Sequence, residues 1–247
     1  GASMKALIPY TGSKRRVSKE IVEHFPDKIE TYYEPFVGGG SVLFQVVNQN
    51  KTYKCLASDV DVNLIGLWNA FKKSPYHLVE GYSALYQQWI RSDKKEDRWE
   101  VFSRVRDEFN RRRDLVKFLF LTRMSFNGLI RYSSRGSFNA ACDFKNKGGT
   151  PEGILEIVKL WEPVLLRTEF TVKDYRTIRP SPGDYVYCDP PYVPRNKYYG
   201  NIKYIEFFEF LKGLPSSYSF SLGSTRVGGQ SRYSKIEVPM SLYDHKH

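Results

Sequence analysis

Apolar positions change their period along this chain, and the changes mark its elements. Val17, Ile21 and Val22, with His24 and Phe25, predict a short amphipathic helix opened by the polar turn "TGSK". "TYYEPFVGGGSVLFQVV" then predicts a strand, a glycine turn and a helix. "YKCLASD" follows as a second strand ending in Asp59, and "VNLIGLWNAF" as another helix. Strand and helix alternating at this spacing argue for an α/β parallel sheet. From about residue 71 to 125 the strand signal disappears, and "HLVEGYSALYQQWI" and "WEVFSRVRDEFNRRRDLVKFLFLTRM" carry apolar residues at helical spacing. "NGLIRYSSRGSFNAAC" brings back turn residues around short apolar pieces, as in a hairpin or an ordered loop. After "GGTPEG" and one more helix, the strand-like runs "TEFTVKD", "GDYVYCD" and "SYSFSL" return. The predicted organisation is a discontinuous α/β core, residues 1–66 and 160–247, split by a mostly helical insertion over 67–159.

Composition narrows the reading. With 247 residues, 41% hydrophobic and 15% aromatic, the chain is expected to fold around one large core, or one core plus an inserted subdomain. The formal charge is +11, from 38 Lys+Arg against 27 Asp+Glu. That excess favours a polyanionic partner, since each cation meeting a phosphate releases a condensed counterion. Simple solubility is the plainer alternative. Cys55, Cys142 and Cys188 are widely spaced and odd in number, which suits a reducing compartment such as the cytoplasm, a nucleoid or a viral factory. The four histidines are scattered, and no metal site is expected. No apolar run approaches membrane-spanning length and no signal-like stretch opens the chain, so no membrane attachment is expected. "GAS" before Met4 reads as a cloning remnant.

Two constellations carry chemistry. In "EPFVGGGS" a glycine-rich turn between strand and helix lets backbone amides approach a ligand, and the helix N-terminus favours negative charge. No Gly-Lys-Ser/Thr follows, so it is not a P-loop, and Leu43 stands where a dinucleotide fingerprint needs its third glycine. Asp59, at the end of the next strand, could accept both hydroxyls of a ribose, or cap the following helix. The second constellation is Asp189-Pro190-Pro191-Tyr192, fused to an apolar strand. Its prolines remove two backbone donors, leaving carbonyl acceptors beside a carboxylate, with a ring alongside. Acceptors plus a ring suit a planar ligand bearing an exocyclic NH2. An exposed polyproline turn is the alternative.

The order EPFxGxG, insertion, DPPY resembles the Dam-type DNA adenine-N6 methyltransferases, the D12 class or alpha group, over most of the chain. "YTGSK", Ser58-Asp59, "FNGLIRYSSRGSFN" and "GDYVYCDPPY" belong to the same resemblance. It implies a Rossmann-like methyltransferase sheet with an inserted DNA-recognition subdomain carrying a hairpin. It also implies S-adenosylmethionine as cofactor, S-adenosylhomocysteine as product and double-stranded DNA as partner. Cofactor-binding residues would be Tyr10, Lys14, Glu34, Phe36, Gly38, Gly40, Asp59, Asp174 and Asp189. Asp189 and the Pro190 carbonyl would hold the adenine amino group, Pro191 would set the turn, and Tyr192 would stack on the base. The base would have to be flipped from the duplex at a cost of about a few kcal/mol.

The resemblance further implies that the segment from Phe126 enters DNA. Phe126 would wedge, Asn127 would approach the orphaned base, Arg131 would meet a guanine edge, and Leu129 and Arg135 would complete the contact. Lys14 and the other cations of residues 5–20 would serve phosphates. Read from the residues alone, Phe126 is a core residue and Arg131 a solvated charge. Arg111-Arg112-Arg113 reads as a helix's solvent face. Relatives often carry proline where Ala141 stands, and "SLYDHKH" resembles a segment they follow with a closing hairpin, so an open sheet edge is expected. A methyltransferase acting on RNA and a non-catalytic DNA-binding relic are the competing readings. A monomer or weak dimer is expected, with a cognate restriction endonuclease as candidate partner.

Overall fold

The computed structural model describes residues 4–145, 148–191, 203–222, 224–227 and 230–233. In chain order the helices and strands are α1 (Ser18–Glu23), β1 (Tyr32–Glu34), α2 (Ser41–Asn48), β2 (Cys55–Asp59), α3 (Val62–Lys73), α4 (Pro75–Ile90), α5 (Lys95–Arg111), α6 (Leu115–Met124), α7 (Pro151–Arg167), β3 (Thr168–Val172), β4 (Tyr185–Cys188), α8 (Tyr204–Lys212) and β5 (Ser217–Phe220). A short antiparallel pair, β6 (Ser224–Val227) and β7 (Gln230–Tyr233), follows. Two compact units result, one of Lys14–Val62 with Leu166–His247 and one of Gly1–Ser13 with Asn63–Leu165.

The first unit holds a five-stranded sheet in the order β3-β2-β1-β4-β5, every pair parallel. The chain winds outward from β1 through β2 to β3, then returns to the other side of β1 for β4 and β5. The reversal therefore falls between β1 and β4, whose carboxyl ends flank the crevice where ligands bind in open α/β sheets. Asp184 fixes that junction, its carboxylate accepting from Thr31 N at 3.1 Å and Ser181 N at 2.7 Å. Side-chain alternation along β4 sorts its two faces. Tyr185 and Tyr187 pack against Phe25 with tilted rings, whereas Val186 and Cys188 join Phe207, Leu211, Tyr218 and Phe220 in one apolar cluster. Among the described residues β5 stands at an edge of this sheet; "SLYDHKH", on which the expected open edge rested, lies outside them.

The second unit is helical, packed on buried aromatics such as Trp68 against Trp161 and Trp89 against Phe120. Two features differ from the periodicity. The long helical run from Trp99 to Met124 breaks at Arg112, where extended backbone interrupts it, and Asp114 restarts the helix by accepting from Val116 N at 2.8 Å. The segment ahead of Lys14, expected with the sheet, clusters with the helices. Leu7 and Ile8 are fully buried there, and the Lys5 and Leu7 carbonyls accept from Trp161 Nε1 and Arg123 Nη2.

Candidate active site

Three of the sequence-predicted acids stand at carboxyl ends of neighbouring strands: Glu34 ends β1, Asp59 ends β2 and Asp189 follows β4. The backbone between β1 and α2 is a glycine turn that only glycine adopts without strain, with φ of 49° at Gly38 and 72° at Gly40. Asp59 holds that turn to β2. Its carboxylate accepts from Gly38 N at 3.3 Å and from Asp61 N at 3.1 Å, while Val37 N donates to the Ser58 carbonyl. Burial pushes the Asp59 carboxyl up to about 6 against the pull of these amides. Gly40 caps α2 without a side-chain hydrogen bond, so first-turn amides face the turn with no acceptor supplied by the cap.

Asp189 is paired. Lys14 Nζ lies 3.2 Å from its Oδ2, with the lysine side chain 5% exposed and the carboxylate 21%. Burial raises the Asp189 carboxyl above its ordinary value and the Lys14 charge opposes the rise. Pro190 is buried and Pro191 exposed. Neither has an N–H, so the turn adds acceptors and no donors beside the carboxylate. Tyr192 lies outside the described residues. Glu34 is fully enclosed and accepts from the Tyr32 hydroxyl at 2.5 Å. Its carboxyl is pushed up to about 8, chiefly by burial and further by the Asp189 charge, with Tyr32 pulling the other way.

Phe36 sits half-buried among Tyr175 and Phe207, with ring centroids at 5.2 and 6.2 Å. Asp174 follows the edge strand β3, where it caps the Tyr175–Thr177 turn and binds the Arg176 guanidinium at 2.9 and 3.0 Å. The guanidinium holds that carboxyl below its usual range. All three cysteines are buried and free, and burial pushes Cys55 and Cys142 up to about 12 and Cys188 well above the ordinary thiol value.

Tyr10 and the remaining DNA-directed residues belong to the helical unit. Phe126–Gly128 forms one 3-10 turn, anchored by Phe126 N on the Ala141 carbonyl at 2.9 Å. Phe126 is 55% exposed, which removes the core reading, and Asn127 adopts a left-handed backbone with φ of 55°. A non-glycine residue held there carries strain of the kind that marks functional turns. The turn rests on the Pro9–Tyr10 segment, and Thr11 Oγ1 donates to the Asn127 carbonyl at 3.1 Å. Arg131 and Arg135 are both exposed, on a hairpin closed by the Tyr132–Phe138 bridge, and Leu129 is half-buried at its entrance. An open groove of about 490 Å³ lies beside the turn, lined by Pro9, Arg123, Asn127, Gly128, Asp143 and Lys145.

Sequence reasoning missed the partners that hold these groups. Tyr32 on Glu34 sits two positions away on one strand face, a spacing that could have been read. Asn110 and Arg113, which bind the hairpin backbone, left no local signal. Among the described residues no group of three or more His, Cys, Asp or Glu could hold a metal ion, and no helix is long and apolar enough to cross a membrane.

Comparison with known proteins gives this arrangement its family. Residues 10–236 match the D12 class N6 adenine-specific DNA methyltransferase family. The type II methyltransferase M.MjaIII of Methanocaldococcus jannaschii is 31% identical over 209 residues, 78% of this chain and 71% of that protein. The DNA adenine methylases of Escherichia coli and Vibrio cholerae are 33% and 30% identical over 196 residues, 77% of this chain and 66% of theirs. The matches thus span about two thirds of these relatives' lengths. The chain belongs to the D12 class of N6 adenine-specific DNA methyltransferases.

Proposed function

We propose that this chain methylates the exocyclic N6 of an adenine flipped out of duplex DNA, with S-adenosylmethionine as the methyl source. The observation that carries the reading is the pairing of the glycine turn after β1 with the Lys14-bound Asp189 after β4, across the reversal of strand order. The donor set suits the cofactor: turn amides and the Asp59 carboxylate, with Glu34, Phe36, Gly38 and Gly40 around them. When bound, S-adenosylmethionine supplies a methyl carbon made electrophilic by its sulfonium. Tyr10, Lys14 and Asp174 remain further candidates for holding it.

The chain's own residues prepare the nucleophile. The adenine amino lone pair is delocalised into the ring, so N6 is a poor nucleophile until its hydrogens are held. Asp189 and the Pro190 carbonyl accept those two N–H bonds and draw the nitrogen toward sp3 geometry. Lys14 keeps Asp189 ionised, and hence an acceptor, in a buried setting. The C–N bond forms as the S–C bond breaks, leaving S-adenosylhomocysteine, and one N6 proton departs through Asp189 to solvent. Pro191 sets the turn and Tyr192 stacks on the base. Phe126, Asn127, Leu129, Arg131 and Arg135 engage the duplex, and the exposed Lys5, Arg15, Arg16 and Lys19 serve phosphates; Lys14, expected among them, is buried against Asp189 instead. The protein acts as a monomer or weak dimer in a reducing compartment, cytoplasmic, nucleoid or viral. A cognate restriction endonuclease is a candidate partner, in keeping with the type II names of its relatives.

Incubation with methyl-labelled cofactor and a randomised duplex library, followed by sequencing for N6-methyladenine, tests the reading. Asp189→Ala should lose about 10²–10⁴ in rate. Label entering DNA at an unchanged rate in that variant would sink the mechanism, and label entering RNA in preference would replace the substrate.

A further inference from the structure

The recognition hairpin is held in place by two side chains from the junction of α5 and α6, Asn110 and Arg113, rather than by its turn alone. Its ladder bonds run from Asn139 N to the Arg131 carbonyl and from Ser133 N to the Ser137 carbonyl. Tyr132 and Phe138 between them therefore form a non-hydrogen-bonded pair, whose backbone groups point away from each other. Phe138's two outward groups are both taken by Asn110 at the end of α5. Phe138 N donates to Asn110 Oδ1 at 2.8 Å, and Asn110 Nδ2 donates to the Phe138 carbonyl at 3.0 Å. The Phe138 ring, 1% exposed, stands edge-on to Phe109 and Phe118 of the helical core. Nearer the tip, Arg113 Nη2 donates to the Gly136 carbonyl while its guanidinium lies over the Phe109 ring at 4.6 Å. The opposite strand receives a bond from Asn63 Nδ2 to the Tyr132 hydroxyl at 3.0 Å. Arg131 and Arg135 are left exposed on a hairpin whose backbone is held at Phe138 and near its tip, with the Tyr132 side chain tied on the other strand.

We propose that Asn110 and Arg113 are positioning residues for target-sequence discrimination: they hold the hairpin so that Arg131 and Arg135 meet the base edges in one register. The proposal rests on the functional reading above. An arginine on a guanine edge selects only while its backbone is fixed, because two parallel hydrogen bonds tolerate little displacement. Asn110 is uncharged, so its effect on DNA reading is separable from phosphate attraction.

The test measures kcat/KM for the duplex site that the wild-type protein modifies and for duplexes with single substituted base pairs. Asn110→Ala and Arg113→Ala should each reduce the ratio between them by about tenfold, within the range one base contact supplies. Cofactor affinity should hold, and the salt slope of duplex binding should be unchanged in Asn110→Ala. Arg113→Lys, which keeps a donor for the Gly136 carbonyl, should recover most of the discrimination. Should Asn110→Ala fail to fold, Arg113→Ala gives the same ratio from an exposed position. Wild-type discrimination in folded variants, with only the melting temperature lowered, overturns the proposal. A wild-type protein that methylates no duplex overturns the functional reading, and the clamp with it.

Discussion

Lys14 Nζ lies 3.2 Å from Asp189 Oδ2, and the lysine is the more deeply buried of the two. Truncating one member of such a pair leaves the other charge uncompensated. Lys14→Met should therefore raise the Asp189 carboxyl further, since burial already lifts it and the lysine is what opposes that lift. The ionised acceptor is then populated only at higher pH. The acid limb of the kcat/KM profile should move upward, with a loss of about 10²-fold near neutrality. A limb that stays in place would mean that Asp189 does not act as an anion.

Glu34 should leave its mark on stability. The folded carboxyl keeps its proton to about 8, against 4.5 for the ordinary group. Its contribution is thus complete below about pH 4.5, declines as pH rises, and is gone above about pH 8. Glu34→Gln keeps a carbonyl for the Tyr32 hydroxyl and cannot titrate. Thermal melts should shift in the variant's favour across that interval, by up to roughly a few kcal/mol. Parallel melting curves would show that Glu34 is ionised throughout.

Gly128 and Gly136 offer a matched comparison. Both have left-handed backbones, but a Cβ at Gly128 would lie 2.7 Å from Pro9 Cβ and 3.0 Å from the Pro9 carbonyl carbon, whereas at Gly136 it meets nothing within 4 Å. Gly136→Ala should cost about 1 kcal/mol of conformational strain alone. Gly128→Ala should cost about 2 kcal/mol or more and weaken duplex binding further than cofactor binding. Chemical denaturation and gel-shift titration read the two quantities separately.

Phe126→Ala should divide stability from function. The ring is 55% exposed, so unfolding free energy should change by no more than about 0.5 kcal/mol. Fluorescence of a 2-aminopurine placed at the target adenine should rise less on binding, and kcat/KM should fall by about tenfold. A destabilised variant with normal flipping would return Phe126 to a packing role.

What could be read from sequence was local. The strand-ending acids Glu34, Asp59 and Asp189 were legible because apolar runs lead directly into them, and parallel strands put such residues at one end of the sheet. The break at Arg112 was also legible in principle, since Asp114 ahead of "LVKFLFL" is an N-cap signal. The charge run around it hid that signal. Arg113 was read as part of a solvent face; it is exposed, yet it grips the Gly136 carbonyl, 23 positions away. Asn110 to Phe138 spans 28 positions. No periodicity encodes a side chain meeting backbone at that range. The placement of residues 4–13 with the helices was hidden for the same reason, as it depends on Trp161 and Arg123 donating to carbonyls more than a hundred positions earlier.

The three buried thiols carry a practical consequence. Maleimides and haloacetamides react with thiolate, and burial leaves Cys55, Cys142 and Cys188 protonated far above neutrality. The native chain should be silent to such reagents while folded. A cysteine introduced by Arg135→Cys at the hairpin tip would then be the one reactive position. A fluorophore attached there would follow the approach of DNA without a cysteine-free background having to be built first.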